Sequence, residues 1–140
     1  VSTAWMKARQ AEDLMLEFVP AMQALSRESD ASLLLNEYRD YLMGRDEQGI
    51  VGSGQLNKWA RYYAFAGQHE AALEKLEEAL AAGIRMPSWK YAREYEPLHQ
   101  DPRFIKLQEK NLLAINAERA ELGWEPVAEV GILHHPDEDE

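Results

Sequence analysis

Apolar side chains recur at steps of three and four residues through most of this chain, which is the spacing of amphipathic helices. The first such segment covers residues 4–29. Pro20 lies inside it and lacks a backbone N–H, so we expect the helix to kink or split near Phe18. No stretch shows a convincing alternation of apolar and polar residues, and the pattern therefore predicts an all-α fold of antiparallel helices.

A second helix is predicted over residues 31–44, in front of a glycine-rich loop. Ser29 or Asp30 offers a side chain that can cap its first turn, and Gly44 is suited to end it. The loop itself covers residues 44–54, and its composition predicts the most flexible joint of the chain.

Two shorter helices are predicted over residues 53–66 and 69–82, with Gly67 between them. The second is rich in Ala, Leu and Glu, which favour helices, and Gly83 is suited to end it. Counted up to the next loop, the pair spans about 34 residues.

The chain after this pair is predicted to form a short helix and then a long one. Pro87 can begin the short helix, which we expect to end before Pro97. Asp101 is expected to cap the long helix and Pro102 to occupy its first position, while Gly123 is suited to stop it.

Length and composition predict one domain with a loose end. With 140 residues, 46% of them hydrophobic and 29% charged, the chain is typical of a soluble globular protein. We assign one helical domain to residues 1–123 and an extended, disordered acidic tail to residues 124–140. No apolar run is long enough to span a membrane, and the compartment can be cytoplasmic or periplasmic.

The charge balance excludes some partners. Twenty-five acidic and 15 basic residues give a formal net charge of -10, which opposes binding to nucleic acid, since that requires a basic face. No cluster of four or more Lys and Arg residues appears along the sequence. The absence of cysteine excludes disulfides and thiolate zinc sites.

The helical pair over residues 53–86 resembles a tetratricopeptide repeat. Small residues stand where the two helices would cross, and large ones surround the crossing. Trp59 departs from the usual Leu, and the proline that often closes a repeat is delayed from position 84 to Pro87. The residues that match the pattern of the repeat are Leu56, Trp59, Tyr63, Gly67, Ala72, Leu76 and Ala79.

The segment after the repeat resembles the end of tetratricopeptide regions in bacterial multidomain signalling proteins. The resemblance implies that residues 87–123 cap a short right-handed superhelix, and that the chain is a regulatory part of a larger protein. The matching residues are Trp89, Leu98, Asp101, Pro102, Arg103, Phe104 and Leu107, of which Trp89, Asp101, Pro102 and Phe104 are the expected capping residues.

The resemblance also implies a binding surface on the concave face of the first repeat helix. By this register the face carries Asn57, Lys58, Arg61 and Phe65, which suit an extended peptide with carboxylates. Replacing Arg61 by Glu is then expected to weaken capture of the partner without unfolding the chain. The alternative is that the N-terminal helices fill this groove.

Catalytic patterns are missing from the sequence. The stretch around Ser53 has neither the spacing of a nucleophile elbow nor the Lys-Ser/Thr end of a phosphate-binding loop. The chain is therefore expected to be a non-catalytic protein-binding or scaffolding module without a cofactor or metal. Two alternatives remain, namely self-association and a metal-dependent binder that uses His134 and His135 of the acidic tail.

Overall fold

A computed structural model describes residues 15–85 and 89–128, and the fold of these residues is entirely helical. This confirms the predicted all-α class. None of the described helices is long and apolar enough to cross a membrane. The α-helices are α1 (Val19–Ala24), α2 (Glu28–Glu47), α3 (Ser53–Phe65), α4 (His69–Ala81) and α5 (Pro102–Glu121), and the 3-10 helices are Leu16–Phe18, Trp89–Tyr91 and Arg93–Leu98.

The N-terminal helical segment breaks where Pro20 predicts it. A 3-10 helix, Leu16–Phe18, is followed at once by α1, in which Pro20 occupies the first turn. The missing N–H of proline costs nothing there, because the first turn of a helix has no acceptor for it. The predicted split near Phe18 is therefore confirmed.

Both predicted ends of α2 are wrong. The helix begins at Glu28 after Arg27, so Ser29 and Asp30 lie inside its first turn and cap nothing. It also continues through Gly44 and stops at Glu47. The extra turn is held by tertiary contacts, because Gln55 of α3 accepts a hydrogen bond from Arg45 at 2.8 Å.

Helices α3 and α4 form a tight hairpin around Gly67. The backbone N–H of Gln68 donates to the carbonyl of Tyr63 at 2.8 Å, which closes the end of α3. Ala60 and Ala72 are both fully buried, one on each helix, and allow the helices to approach closely.

Two apolar clusters lie on opposite sides of α3. One joins α3 to the N-terminal helices, and its buried members are Leu16, Val19, Ala31, Tyr38, Leu42, Tyr62 and Phe65. The other joins the α3–α4 hairpin to the C-terminal part, and its buried members are Ala60, Ala64, Ala72, Leu73, Leu76, Trp89, Tyr95, Leu98, Phe104 and Leu107. A single helix thus links both halves of the core.

The segment between α4 and α5 differs from the predicted short helix. Two 3-10 helices replace it, and Pro97 lies inside the second one instead of ending it. Short 3-10 turns are common connectors, and here Tyr95 and His99 supply backbone hydrogen bonds on either side of the proline. Pro87 lies outside the described residues. Helix α5 then begins at Pro102, after Asp101 accepts a hydrogen bond from the N–H of Arg103 at 2.9 Å.

Candidate binding surfaces

The face of α3 that was predicted to be an open groove is covered by the chain itself. The Oδ1 atom of Asn57 accepts a hydrogen bond from the indole nitrogen of Trp89 at 3.1 Å. Phe65 is only 6% exposed and packs in the N-terminal cluster. Lys58 is partly buried on the same helix. Asn57 and Phe65 are thus covered by other parts of the chain, and partner binding at this face stays a prediction.

Arg61 lies at the centre of this covered face, between two carboxylates. Its Nη2 is 2.7 Å from an oxygen of Glu17, and its Nε is 3.1 Å from an oxygen of Glu94. Burial disfavours the charged form of Arg61, but the adjacent Glu94 outweighs it, and the pKa of Arg61 is raised. The groove is thus filled by the N-terminal 3-10 helix and, more extensively, by the segment after α4.

Most of the repeat residues are buried or partly buried, whereas Gly67 is exposed in the turn. Ala72, Leu76 and Ala79 are fully buried, in keeping with the close packing expected of them. Trp59 stacks on Tyr63 with ring centroids 5.6 Å apart, and its indole nitrogen donates to Asp46 at 3.1 Å. Leu56 is partly buried near the start of α3. These residues therefore contribute to the packing of the hairpin.

A basic groove runs between α4 and α5, with a volume of about 340 Å³. Its floor is apolar, and its rim carries four cations and one carboxylate. Lys106 and Lys110 form no ion pair within the described part of the chain. The lining residues are Glu77, Leu80, Ala81, Arg85, Arg103, Lys106, Leu107, Lys110 and Ala114.

The two arginines of the basic groove are held by acids of both helices. Arg103 donates to Glu77 at 3.1 Å and also binds Glu70, and these hydrogen bonds raise the pKa of Arg103. Arg85 is 3.0 Å from Glu118. Acidic side chains therefore hold the two arginines in place. Lys106 and Lys110 have no such partner in the described residues and are available to an external anion.

A larger apolar cavity of about 570 Å³ lies on a different face of α5, against the 3-10 segment. Tyr91 and Ile105 are 55% and 45% exposed at its mouth, so its apolar wall reaches the surface. His99 stacks on Phe104 with ring centroids 5.8 Å apart. The lining residues are Lys90, Tyr91, His99, Phe104, Ile105, Gln108, Glu109, Leu112 and Ala128.

Two polar residues that line the apolar cavity have shielded atoms without a hydrogen-bond partner in the described residues. They are His99, through Nε2, and Gln108, through both Oε1 and Nε2. Shielding a polar atom without a partner costs about 1–3 kcal/mol. Residues that line the cavity thus carry shielded polar atoms for which the described part of the chain offers no partner.

The described residues contain no group of three or more His, Asp or Glu side chains placed to hold a metal ion. His134 and His135, which carry the metal alternative, lie outside the described residues.

Sequence reasoning missed both surfaces on α5. Arg103, Lys106 and Lys110 stand at positions i, i+3 and i+7, a stripe that was visible in the sequence. Arg85 joins them only because α4 and α5 pack side by side. The apolar cavity was hidden for a similar reason, since its walls come from three separate parts of the chain.

Comparisons with known proteins add no relative to this description. No model of a known family, no curated protein and no solved structure matches the chain.

Proposed function

We propose that this chain is a non-catalytic protein-interaction module with a tetratricopeptide-like architecture. The α3–α4 hairpin supports this proposal, because its helices are of similar length and bury Ala60 and Ala72 in the same apolar cluster. Trp89 supports it too, since it packs against the hairpin as a capping residue would. The right-handed superhelix is part of the same proposal.

The basic groove is the proposed docking surface, and its partner is an acidic peptide segment. The observation that carries this choice is the pair Lys106 and Lys110, which have no ion pair within the described residues of a chain whose net charge is -10. Solvated acidic residues favour the solubility of such a chain, and solubility does not require a local group of cations. Charge complementarity therefore favours a partner with carboxylates.

The floor of the basic groove sets a second requirement for the partner. Leu80, Leu107 and Ala114 form an apolar strip between the charged walls. An extended peptide can place an apolar side chain on this strip while flanking carboxylates reach the lysines. The proposed partner is thus a segment in which Glu or Asp alternates with Leu or a similar residue.

A labelled synthetic peptide of alternating Glu and Leu tests this proposal by fluorescence anisotropy. We expect binding that weakens with added salt, because exposed charges are screened. The double variant Lys106→Glu/Lys110→Glu should weaken binding about tenfold or more, since each like-charge contact costs free energy. Arg39→Glu, an exposed charge reversal on α2, is the matched control and should bind as the parent chain does.

Equal binding by the double variant and the parent chain would remove the basic groove as the docking surface. A peptide of alternating Lys and Leu should not bind. If it bound as well as the acidic peptide, the interaction would be apolar rather than electrostatic, and the proposal would fail.

Self-association is a second candidate function, and exposed apolar side chains favour it. Leu122 and Trp124 are 63% and 57% exposed at the end of α5. A second copy that packs on them would remove this surface from water. Light scattering over a wide concentration range tests the idea, and a constant monomer mass would exclude it.

The proposed biological setting is the regulatory part of a larger bacterial signalling protein. Only the resemblance of the segment from Trp89 to Leu107 supports this setting. The coding sequence upstream of Val1 tests it, because a cyclase, kinase or winged-helix segment is expected there.

A further inference from the structure

We propose that the apolar cavity between α5 and the 3-10 segment binds a small, uncharged, mostly apolar molecule that carries an amide group. This site lies on a different face of α5 from the basic groove and shares no lining residue with it. The inference therefore does not depend on the proposed function.

The size and the walls of the apolar cavity suit such a ligand. Its volume of about 570 Å³ falls inside the range of about 300–1,000 Å³ that is typical of small-molecule sites. Tyr91, Phe104, Ile105 and Leu112 supply aromatic and aliphatic surface on several sides.

Gln108 defines the polar part of the ligand. Its oxygen accepts and its nitrogen donates, and neither atom has a partner in the described residues. The terminal torsion of a glutamine has broad minima, so a small rotation presents both atoms to a ligand. A group that donates and accepts side by side satisfies both atoms, and an amide is the simplest such group. His99 offers one further polar atom at the same wall.

The charges around the cavity favour a neutral ligand. Lys90 and Glu109 both line it, so one cation and one anion stand at the same cavity. Their fields oppose each other, and neither sign of ligand charge gains from the pair. Affinity then depends on apolar contact and on the hydrogen bonds to Gln108.

Benzamide and acetophenone form a matched pair of probes, because they differ only in an amide NH₂ against a methyl group. Titration of the full chain, followed by amide chemical shifts, is the measurement. Benzamide should bind with a Kd on the order of 1 mM, as expected for a ligand of this size. It should shift the signals of Tyr91, Ile105 and Gln108, and acetophenone should bind about fivefold more weakly or worse.

Gln108→Leu provides the decisive variant, since its side chain is of similar size and lacks both polar atoms. The preference for benzamide over acetophenone should disappear or reverse. Ile105→Trp, which adds bulk at the mouth of the cavity, should abolish binding of both probes. Leu33→Trp, at an exposed site on α2, is the control and should bind as the parent chain does.

Three results would overturn the inference. They are no benzamide binding to the parent chain up to its solubility limit, shifts that map elsewhere, and a preference for benzamide that survives Gln108→Leu. If Gln108→Leu does not fold, His99→Phe replaces it as the variant that removes a polar atom of the cavity. In that case, a benzamide affinity that Ile105→Trp leaves unchanged counts against the cavity as the binding site. The experiment with the acidic peptide concerns the basic groove on another face of α5, so either proposal can fail without the other.

Discussion

The indole nitrogen of Trp89 donates a hydrogen bond to Asn57, 3.1 Å away and 32 positions earlier in the chain. This contact fastens the segment after α4 to the start of α3. Trp89 is also only 1% exposed, so the same residue fills the core beneath. One residue thus combines apolar burial with a specific polar contact.

Trp89→Ala is expected to lower the free energy of unfolding by about 3–5 kcal/mol, the usual cost of removing a large buried side chain. Asn57→Ala should cost about 1–2 kcal/mol, because the buried indole N–H loses its partner. Urea denaturation followed by far-UV circular dichroism measures both. A cost below about 1 kcal/mol for Trp89→Ala would contradict this role for the residue.

Arg61→Glu should destabilise the fold instead of acting only on a partner. The change places three carboxylates together, because Glu17 and Glu94 both contact Arg61. Breaking a largely buried ion pair costs about 3–5 kcal/mol. This revises the expectation from sequence, in which the fold stayed intact. Arg39→Glu, the exposed control, should change stability by less than about 0.5 kcal/mol in the same denaturation experiment.

Tyr95 should make stability depend on pH in the alkaline range. Burial, with a contribution from Glu94, raises the pKa of the Tyr95 hydroxyl well above its ordinary value. Below about pH 10 the hydroxyl is protonated in both states. Above it, the unfolded chain releases the proton and the folded chain retains it. Stability then falls by about 1.4 kcal/mol per pH unit through this group.

Tyr95→Phe tests that prediction. The hydroxyl of Tyr95 is buried without a hydrogen-bond partner in the described residues, so its removal should not destabilise the fold at neutral pH, and a gain of about 1 kcal/mol is expected. The variant should also lose stability less steeply than the parent chain above about pH 10. Parallel curves of unfolding free energy against pH would refute the assignment.

Ser26 adopts a left-handed backbone conformation with φ of 59°, at a helix end where glycine is usual. Ser26→Gly is therefore expected to raise the free energy of unfolding by about 0.5–1 kcal/mol.

Gly67 provides the converse case, with φ of 74° and no atom near an added Cβ. Gly67→Ala should cost about 1 kcal/mol through backbone strain alone. Thermal melting of both variants measures the pair, and effects of the same sign would contradict it.

Removal of metal ions should leave the melting temperature of the full chain unchanged. The described residues contain no cluster of metal-binding side chains, and the proposed module needs none. Thermal melting with and without a chelator measures this. A clear drop on chelation would instead favour the metal-binding alternative at His134 and His135.

The sequence predicts the helices well because their causes are local. Apolar spacing specifies α3 and α4, Pro20 specifies the break before α1, and Asp101 specifies the start of α5. Each of these signals acts within a few residues, through backbone hydrogen bonds and fixed dihedral angles. The end of α2 was predicted wrongly because Gln55, a distant residue, stabilises its last turn.

The sequence alone determined the all-α fold class, the α3–α4 hairpin with Gly67 in its turn, and the acidic, cysteine-free composition. Only the tertiary structure decided which faces stay open. Asn57 and Arg61 looked available, but residues more than thirty positions away cover them. Lys106 and Lys110 carried no prediction from sequence, and packing of α5 against α4 places them beside an apolar floor. Exposure is a property of long-range contacts, and these are not encoded in the spacing of neighbouring residues.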